Sequence, residues 1–303
     1  MPIGIAAVLA SVRWLPASRR QKEQFDLFGA ALLGLGLSGL TLSLSFGAEW
    51  GWTSPTLLGS AALSAIALGA VVPVEARAAH PNLDLELLRK RAFATALGSL
   101  VLSFVALFAV SFLMPFYLEN LRGLSTATSG LLLTPLPLAI GVSAPISGWL
   151  ADRIGSRWLA SSGLALSCAG LLLLSAVGAD SPLTDVVWRQ ALIGLGIGMF
   201  QSPNNRALMQ TAPADEQGEA SGVLGTGRVI GQSLSVALAG AVFAVFGGLA
   251  ANAALAAHAG GQTLPPDQLT ILQHTFVTGF RAALTVCAGV AAIGIVTSLV
   301  RSE

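Results

Sequence analysis

The stretch GWLADRIGSR at 148–157 gathers Asp152, Arg153 and Arg157 into six residues and brackets them with Gly148 and Gly155. Only 10% of the chain is charged, and long apolar runs lie on both sides of this stretch. The carboxylate can answer the positive N-terminus of a neighbouring helix, and the two guanidinium groups can pair with acids or hold lipid phosphates. Two readings stand: a solvated basic turn, and a salt-bridged latch. Other reactive side chains are scattered. The fifteen Asp and Glu residues fall between apolar runs or at their ends, so no carboxylate sits at mid-span where a proton-coupled cycle would use it. His80, His258 and His274 occupy three separate polar segments, while Cys168 and Cys287 lie deep in apolar runs without CxxC or Cys/His spacing. Neither metal, cofactor nor disulfide is expected, and no clustered nucleophile and base suggests an enzyme.

Polar residues inside apolar runs are the next candidates. Arg228 lies well inside one run and Arg281 near the end of another. An arginine at the bilayer centre costs at least about 2.5–3.5 kcal/mol by insertion scales, so Arg228 should face protein or a watery cavity. It either lines a transport cavity or pairs with helix carbonyls; Arg281 is expected to snorkel outward. In GMFQSPNNRALM at 198–209, Gln201, Asn204 and Asn205 flank Pro203, which removes one backbone donor, and the amides suit either a structural cap or a cavity wall. Phe104, Phe108, Phe112 and Phe116 recur at four-residue steps, a stripe that either packs against neighbouring helices and lipid or forms a greasy wall for apolar solutes. GLGLSG at 34–39 has the GxGxxG spacing, but it sits inside an apolar run without a strand before it, so its glycines, like those of GLGIG at 194–198, are read as helix-packing residues.

The elements that position these groups follow from composition. Hydrophobic residues make up 54% of 303 positions and mean hydropathy is +0.75, which points to lipid as the solvent. Crossing a hydrocarbon layer about 30 Å thick takes about 20 apolar residues in a helix. Eight runs meet that length: 27–46, 55–74, 93–118, 127–150, 158–178, 187–209, 219–247 and 275–299. Lys and Arg cluster before the first run, between the second and third, and between the fourth and fifth, which places those segments in the cytoplasm. The Trp-rich GAEWGWTSP, with Trp50 and Trp52, suits an outer interfacial turn, and 248–273 reads as a mobile outer loop with one short helix. The net charge of +1 carries no basic tract interleaved with aromatics, so nucleic acid is not an expected partner.

Gly148, Leu150, Asp152, Arg153, Gly155 and Arg157 together resemble the G-x-L-x-D-R-x-G-x-R signature of major facilitator superfamily transporters. SGLLLTPLPLAIGVSAPISG before it, GEASGVLGTGRVIGQSLSVALAGAVF at 218–243 and GAEWGWTSP are similar to the fourteen-helix drug:proton antiporter branch. The resemblance implies an all-α, polytopic membrane bundle of major-facilitator type, truncated at its N-terminus. Residues 1–16 would be the end of a preceding helix, 17–26 a cytoplasmic linker, 27–74 an extra helix pair, 75–92 a second linker, and 93–303 the six-helix C-terminal bundle. It further implies proton-coupled efflux of drugs or other amphipathic small molecules from a bacterial cytoplasmic membrane. Phe108, Phe112, Gln201, Asn204, Asn205 and Arg228 would then line the cavity or inner gate, and Gly148, Asp152, Arg153, Gly155 and Arg157 would form the conformational latch. Its partners would be the bilayer, a small-molecule substrate and a first-half transporter chain. The alternative is a non-transporting membrane protein that associates with a full-length or first-half relative.

Overall fold

A computed structural model describes residues 27–45, 54–75, 90–213 and 217–300. The segments holding Trp50 and Trp52, the expected helix end at 1–16 and the linkers at 17–26 and 76–89 lie outside the described residues. Among the described residues the chain is all-α: α1 Leu27–Ser45, α2 Pro55–Glu75, α3 Arg91–Phe116, α4 Thr126–Leu133, α5 Pro135–Ile154, α6 Ser156–Ser175, α7 Leu183–Thr211, α8 Gln217–Val245, α9 Gly248–Ala259 and α10 Pro266–Val300. After Pro115, α3 widens into a π-helical turn, Tyr117–Leu121. A helix accommodates the donor a proline removes by such local rewinding.

Each expected run contains a helix, but length and apolarity together qualify five described stretches as membrane spans: Arg91–Leu121, Thr126–Ile154, Ser156–Ser175, Gln217–Val245 and Pro266–Leu299. The apolar parts of α1 and α2, Phe28–Leu40 and Pro55–Val71, are shorter. Helix α7 has 29 residues, yet Arg189, Gln190, Gln201, Asn204, Asn205 and Arg206 dilute its apolarity. Its position explains how it tolerates them. It packs along both α5 and α6 and touches α3, so most of its surface meets protein.

Two expectations change in detail. The fourth run is two helices, because Pro135 lacks the donor that would continue α4 into α5. The segment 248–273 holds the one short helix expected, but only 260–265 of it is non-helical. Its alanine-rich part forms α9, entered through Gly247 in the left-handed conformation (φ 75°), and Pro266 then starts α10, nine residues before the expected span.

Small residues set the packing distances. A Cβ on Gly163 would lie 2.7 Å from the Gly196 carbonyl oxygen, and one on Gly194 would collide with the carbonyl of Leu136. One on Gly198 would meet Ser143 and the Ile140 carbonyl. GLGIG therefore presents alternate glycines to α5 and α6, as a helix-packing motif should. Hydroxyls bridge this seam and others: Ser147 of α5 donates to the Gly198 carbonyl of α7 (2.8 Å), Ser161 of α6 to Ser298 of α10 (3.0 Å), and Ser64 of α2 to the Gly36 carbonyl of α1 (2.6 Å). Cys168 donates to the Ala288 carbonyl at 3.3 Å, and Cys287 is buried and free, so both thiols act in packing. The largest apolar core gathers Tyr117, Phe243, Phe276 and Phe280, with Phe243 edge-on to Phe276 at 5.1 Å and Tyr117 stacked on Phe280 at 5.4 Å. A smaller cluster at the opposite end joins Phe93, Leu100, Leu208 and Leu224.

Candidate functional site

Helices α3, α5, α7 and α8 enclose a cleft of about 190 Å³. Phe104, Leu107 and Phe108 of α3 and Leu136 and Ile140 of α5 give it an apolar wall, and Gln201 of α7 and Gln232 of α8 add two amides to the lining. Ser103 and Ser111 complete the polar lining; the Ser103 hydroxyl is already committed to the Leu100 carbonyl at 2.7 Å, which leaves Ser111 and the two glutamines as the adaptable groups. Van der Waals shape decides how α3 reaches α8. Gly227 takes Leu97 and Gly231 takes Phe104 and the Val101 carbonyl, so the absence of two side chains brings the Phe104 ring beside the cleft.

The six residues expected at the cavity separate by position. Phe108 and Gln201 line the cleft. Phe112, further along α3, packs edge-on to Phe116 at 5.4 Å and lies beside Gly240, so the aromatic stripe is cleft wall at one end and helix seam at the other. Asn204 is fully buried, and its Nδ2 donates to the Ala96 carbonyl at 3.1 Å, tying α7 to α3. Asn205 and Arg228 are half-buried, and each has a polar atom, Oδ1 and Nε respectively, that is buried without a hydrogen-bond partner. Sequence reading missed Gln232, although it lies four residues beyond Arg228 and therefore on the same face of the helix, which was the available signal.

At one end of the bundle, the α5–α6 turn is shaped by Gly155, whose φ of 87° and ψ of 150° fall in a region that only glycine occupies readily. A Cβ on Gly148 would lie 2.8 Å from the Ser202 hydroxyl, so that glycine lets α5 approach α7. Asp152 forms an ion pair with Arg206 of α7, both side chains about half-exposed. Arg153 lies over the Trp149 ring at 3.9 Å, and Arg157 lies 5.9 Å from the Trp158 ring centroid with a buried, unpartnered Nε. Arg206 of α7, which lies outside the motif, is the partner the signature carboxylate meets.

At the other end, three arginines converge on the C-terminus of α6 and the loop that follows. Arg189 donates to the Leu173 carbonyl at 3.0 Å, Arg281 to the Ser175 carbonyl at 3.3 Å, and Arg122 to the Ser181 carbonyl at 2.6 Å. The Tyr117 hydroxyl donates to the Gly178 carbonyl at 2.8 Å. Carbonyls at a helix C-terminus carry partial negative charge, which cationic donors satisfy. Arg281 thus binds backbone while remaining exposed. Among the described residues no group of His, Cys, Asp and Glu could hold a metal ion.

The profile of the Major Facilitator Superfamily matches residues 3–236 and 97–303. The chain belongs to that superfamily. It is 36% identical over 250 residues to the uncharacterized transporter YebQ of Escherichia coli (strain K12), covering 82% of this chain and 54% of that one. It is 34% identical over 248 residues to the riboflavin transporter RibZ of Clostridioides difficile (strain 630), covering 81% and 52%. Against the multidrug resistance protein Stp of Mycobacterium tuberculosis (strain ATCC 25618 / H37Rv) identity is 28% over 247 residues, covering 81% and 46%. The chain therefore spans about half the length of the curated relatives it matches. A crystal structure of a bacterial homolog of the human lysosomal transporter Spinster, inward-facing and unoccupied, superposes with a TM-score of 0.59 at 18% identity, covering 91% of this chain and 66% of that one. That likeness concerns the fold. As a major facilitator chain with bacterial relatives, it is a multi-pass protein of the bacterial cell membrane, and its family is one of transporters rather than enzymes.

Proposed function

We propose that this chain supplies one transmembrane half of a bacterial secondary exporter in the fourteen-helix drug:proton branch. Residues 93–303 would be its six-helix C-terminal bundle, and α1 with α2 the extra pair, which leans on the bundle through α1 and α8. The observation that carries this reading is the cleft: one wall of phenylalanine and aliphatic side chains, with the amides of Gln201 and Gln232 also in its lining. Such a lining accepts amphipathic molecules of varied shape, because apolar contact is tolerant of shape and the amides can satisfy different polar groups. The relatives, among them a riboflavin transporter, a multidrug resistance protein and a resistance and export protein, support small-molecule cargo. Alternating access requires a second bundle that rocks against the first around the site, carried on the same polypeptide or on another. The coupling acid would lie on that second bundle, because the described spans hold no mid-span carboxylate.

Transport of a fluorescent amphipath from preloaded cells of a pump-deficient bacterium tests this reading. The chain alone should leave the dye in place, and co-expression with the first-half bundle of a fourteen-helix relative should restore efflux that Gln201→Ala reduces. Absence of efflux with both chains present in the membrane would overturn the proposal.

A further inference from the structure

The strongest unexplained feature lies one helical turn below the two glutamines. On α8, Arg228, Gln232 and Ser235 fall within about 60° of one another around the helix; Gln232 lines the cleft, and Arg228 and Ser235 continue its strip by one turn in opposite directions. On α7, Asn205 stands in the same relation to Gln201. The two helices run antiparallel, since Leu208 near the end of α7 and Ala220 and Leu224 near the start of α8 share one cluster. Stepping from Gln201 to Asn205 and from Gln232 to Arg228 therefore descends in the same direction by about 6 Å on each helix. Contacts along α3 agree: Gly231 is level with Phe104, and Gly227 with Leu97 and Leu100.

At the level of Arg228 and Asn205 two polar atoms are buried without a hydrogen-bond partner, Arg228 Nε and Asn205 Oδ1; Ser235 Oγ, on the far side of Gln232, is a third such atom outside this level. A buried donor left unsatisfied is costly, more so when it belongs to a charged group. Among the described residues of these helices no acid is shown paired with the arginine. The acidic residues of α3, α5, α7 and α8 are Asp152, Asp185 and Glu219; Asp152 is engaged with Arg206, Asp185 with Arg189, and Glu219 lies in the first turn of α8. A ligand that brings a negative charge would satisfy the arginine, and an Asn205 amide turned over would add its Nδ2 as a second donor.

We infer that the floor of the cleft is an anion subsite, and that the solute this bundle holds is an amphipathic organic anion: a carboxylate or sulfonate on Arg228, with an aromatic or apolar body against Phe104 and Phe108. This rests on the reading of the cleft as a solute site and names its chemical class. A cationic solute would bring like charge to Arg228 at low dielectric, an unfavourable contact that no described acid in these helices offsets.

Equilibrium binding to the purified chain in lipid nanodiscs separates these cases, with radiolabelled 2-naphthoate, 2-naphthamide and a naphthyl trimethylammonium salt as probes. Naphthoate should bind saturably and more tightly than the other two. Arg228→Gln should weaken naphthoate by about tenfold to a hundredfold, the range of one lost charge-assisted hydrogen bond, and leave naphthamide unchanged. Arg228→Lys should keep part of the preference, and Gln232→Glu should abolish it by placing a carboxylate beside the arginine. The last variant retains Arg228, so its result does not depend on the arginine replacement folding. Equal or tighter binding of the cation, loss of naphthoate and naphthamide in parallel, or no saturable naphthoate binding would overturn the subsite. Transport is judged independently: naphthoate binding without efflux in the two-chain assay would remove the exporter reading and leave the subsite, whereas efflux confined to cations would do the reverse.

Discussion

The Asp152–Arg206 contact shows how little one ion pair has to contribute to stability in order to matter for conformation. Both side chains are about half-exposed, so water and salt screen the attraction, and exposed pairs contribute about 0–1 kcal/mol. A pair of that strength adds little to holding α5 and α7 together; the Gly148–Ser202 approach and the Ser147 hydrogen bond to the Gly198 carbonyl act over a larger area. It can still bias two arrangements of the basic end that lie close in energy. In a double-mutant cycle, Asp152→Asn and Arg206→Gln should each shift the melting temperature only slightly, with a coupling of roughly 0.2–1 kcal/mol that declines in high salt. Thermal melts in detergent at low and high salt measure this. A coupling well above that range, insensitive to salt, would instead make the pair a structural bond. The same residues show what a sequence discloses at this scale. The motif made Asp152 conspicuous because charge is rare here, but Arg206 lies 54 positions away and only the packing of α7 along α5 brings it within reach.

Glycine placement is the clearest result at the scale of elements. GLGLSG and GLGIG look alike in sequence, yet their glycines differ in what they face. Gly34 has open space around its missing side chain, Gly36 faces the flexible side chain of Leu68, and Gly196 faces the backbone of Gly163 and Ser167 on α6. A methyl group at Gly34 therefore gains helix propensity and meets nothing, whereas one at Gly196 must push apart two helices whose backbones are in contact. Gly34→Ala should be neutral or stabilising by up to about 1 kcal/mol, and Gly196→Ala should cost about 1–3 kcal/mol, read as melting shifts of opposite sign in the same detergent. Equal shifts would mean that α6 and α7 do not meet as closely as described. Helices were legible because a long apolar run has one stable backbone solution in lipid, with every donor paired internally. Their seams were not. Which glycine meets which carbonyl depends on the rotation of each helix about its axis, and hydropathy patterns are nearly silent on that when all faces are apolar. The cleft was half-legible for the same reason: Phe108 and Gln201 stood out by type, while Asn204, equally conspicuous, turns toward Ala96 and serves as a tie. The one short helix expected in 248–273 is α9, whose alanines are the strongest helix formers; the start of α10 at Pro266 was not legible, because the polar residues that follow it fall outside the apolar run.

For the whole molecule, the bilayer supplies the contacts that the protein leaves open. Along α5, Leu138, Val142, Ile146 and Trp149 are each more than half-exposed and follow one another at three- and four-residue steps, a stripe that only lipid or another bundle can cover without cost. The edges of that apolar band are marked by tryptophans paired with arginines. Trp149 with Arg153 and Trp158 with Arg157 lie at the end where α5 turns into α6, and Trp188 with Arg189, 5.3 Å from its ring, lies at the opposite end near the start of α7. Indole rings favour the headgroup level and arginine stems can reach from there to phosphate, so these pairs should sit at the two interfaces of a hydrocarbon layer about 30 Å thick. Variants retaining Trp149 alone or Trp188 alone, reconstituted with phospholipids brominated at defined acyl positions, test this arrangement. Bromine near the headgroup should quench both fluorophores more strongly than bromine near the chain ends. An aqueous quencher added to one side of sealed, oriented vesicles should then reach one of the two and spare the other. Stronger quenching of Trp149 by bromine at the bilayer centre would slide α5 along the membrane normal, and with it the depth of the cleft and of Arg228. Quenching of both tryptophans from the same side would mean that α5 and α7 do not both cross, and the bundle described here would have no common axis on which to place a solute path.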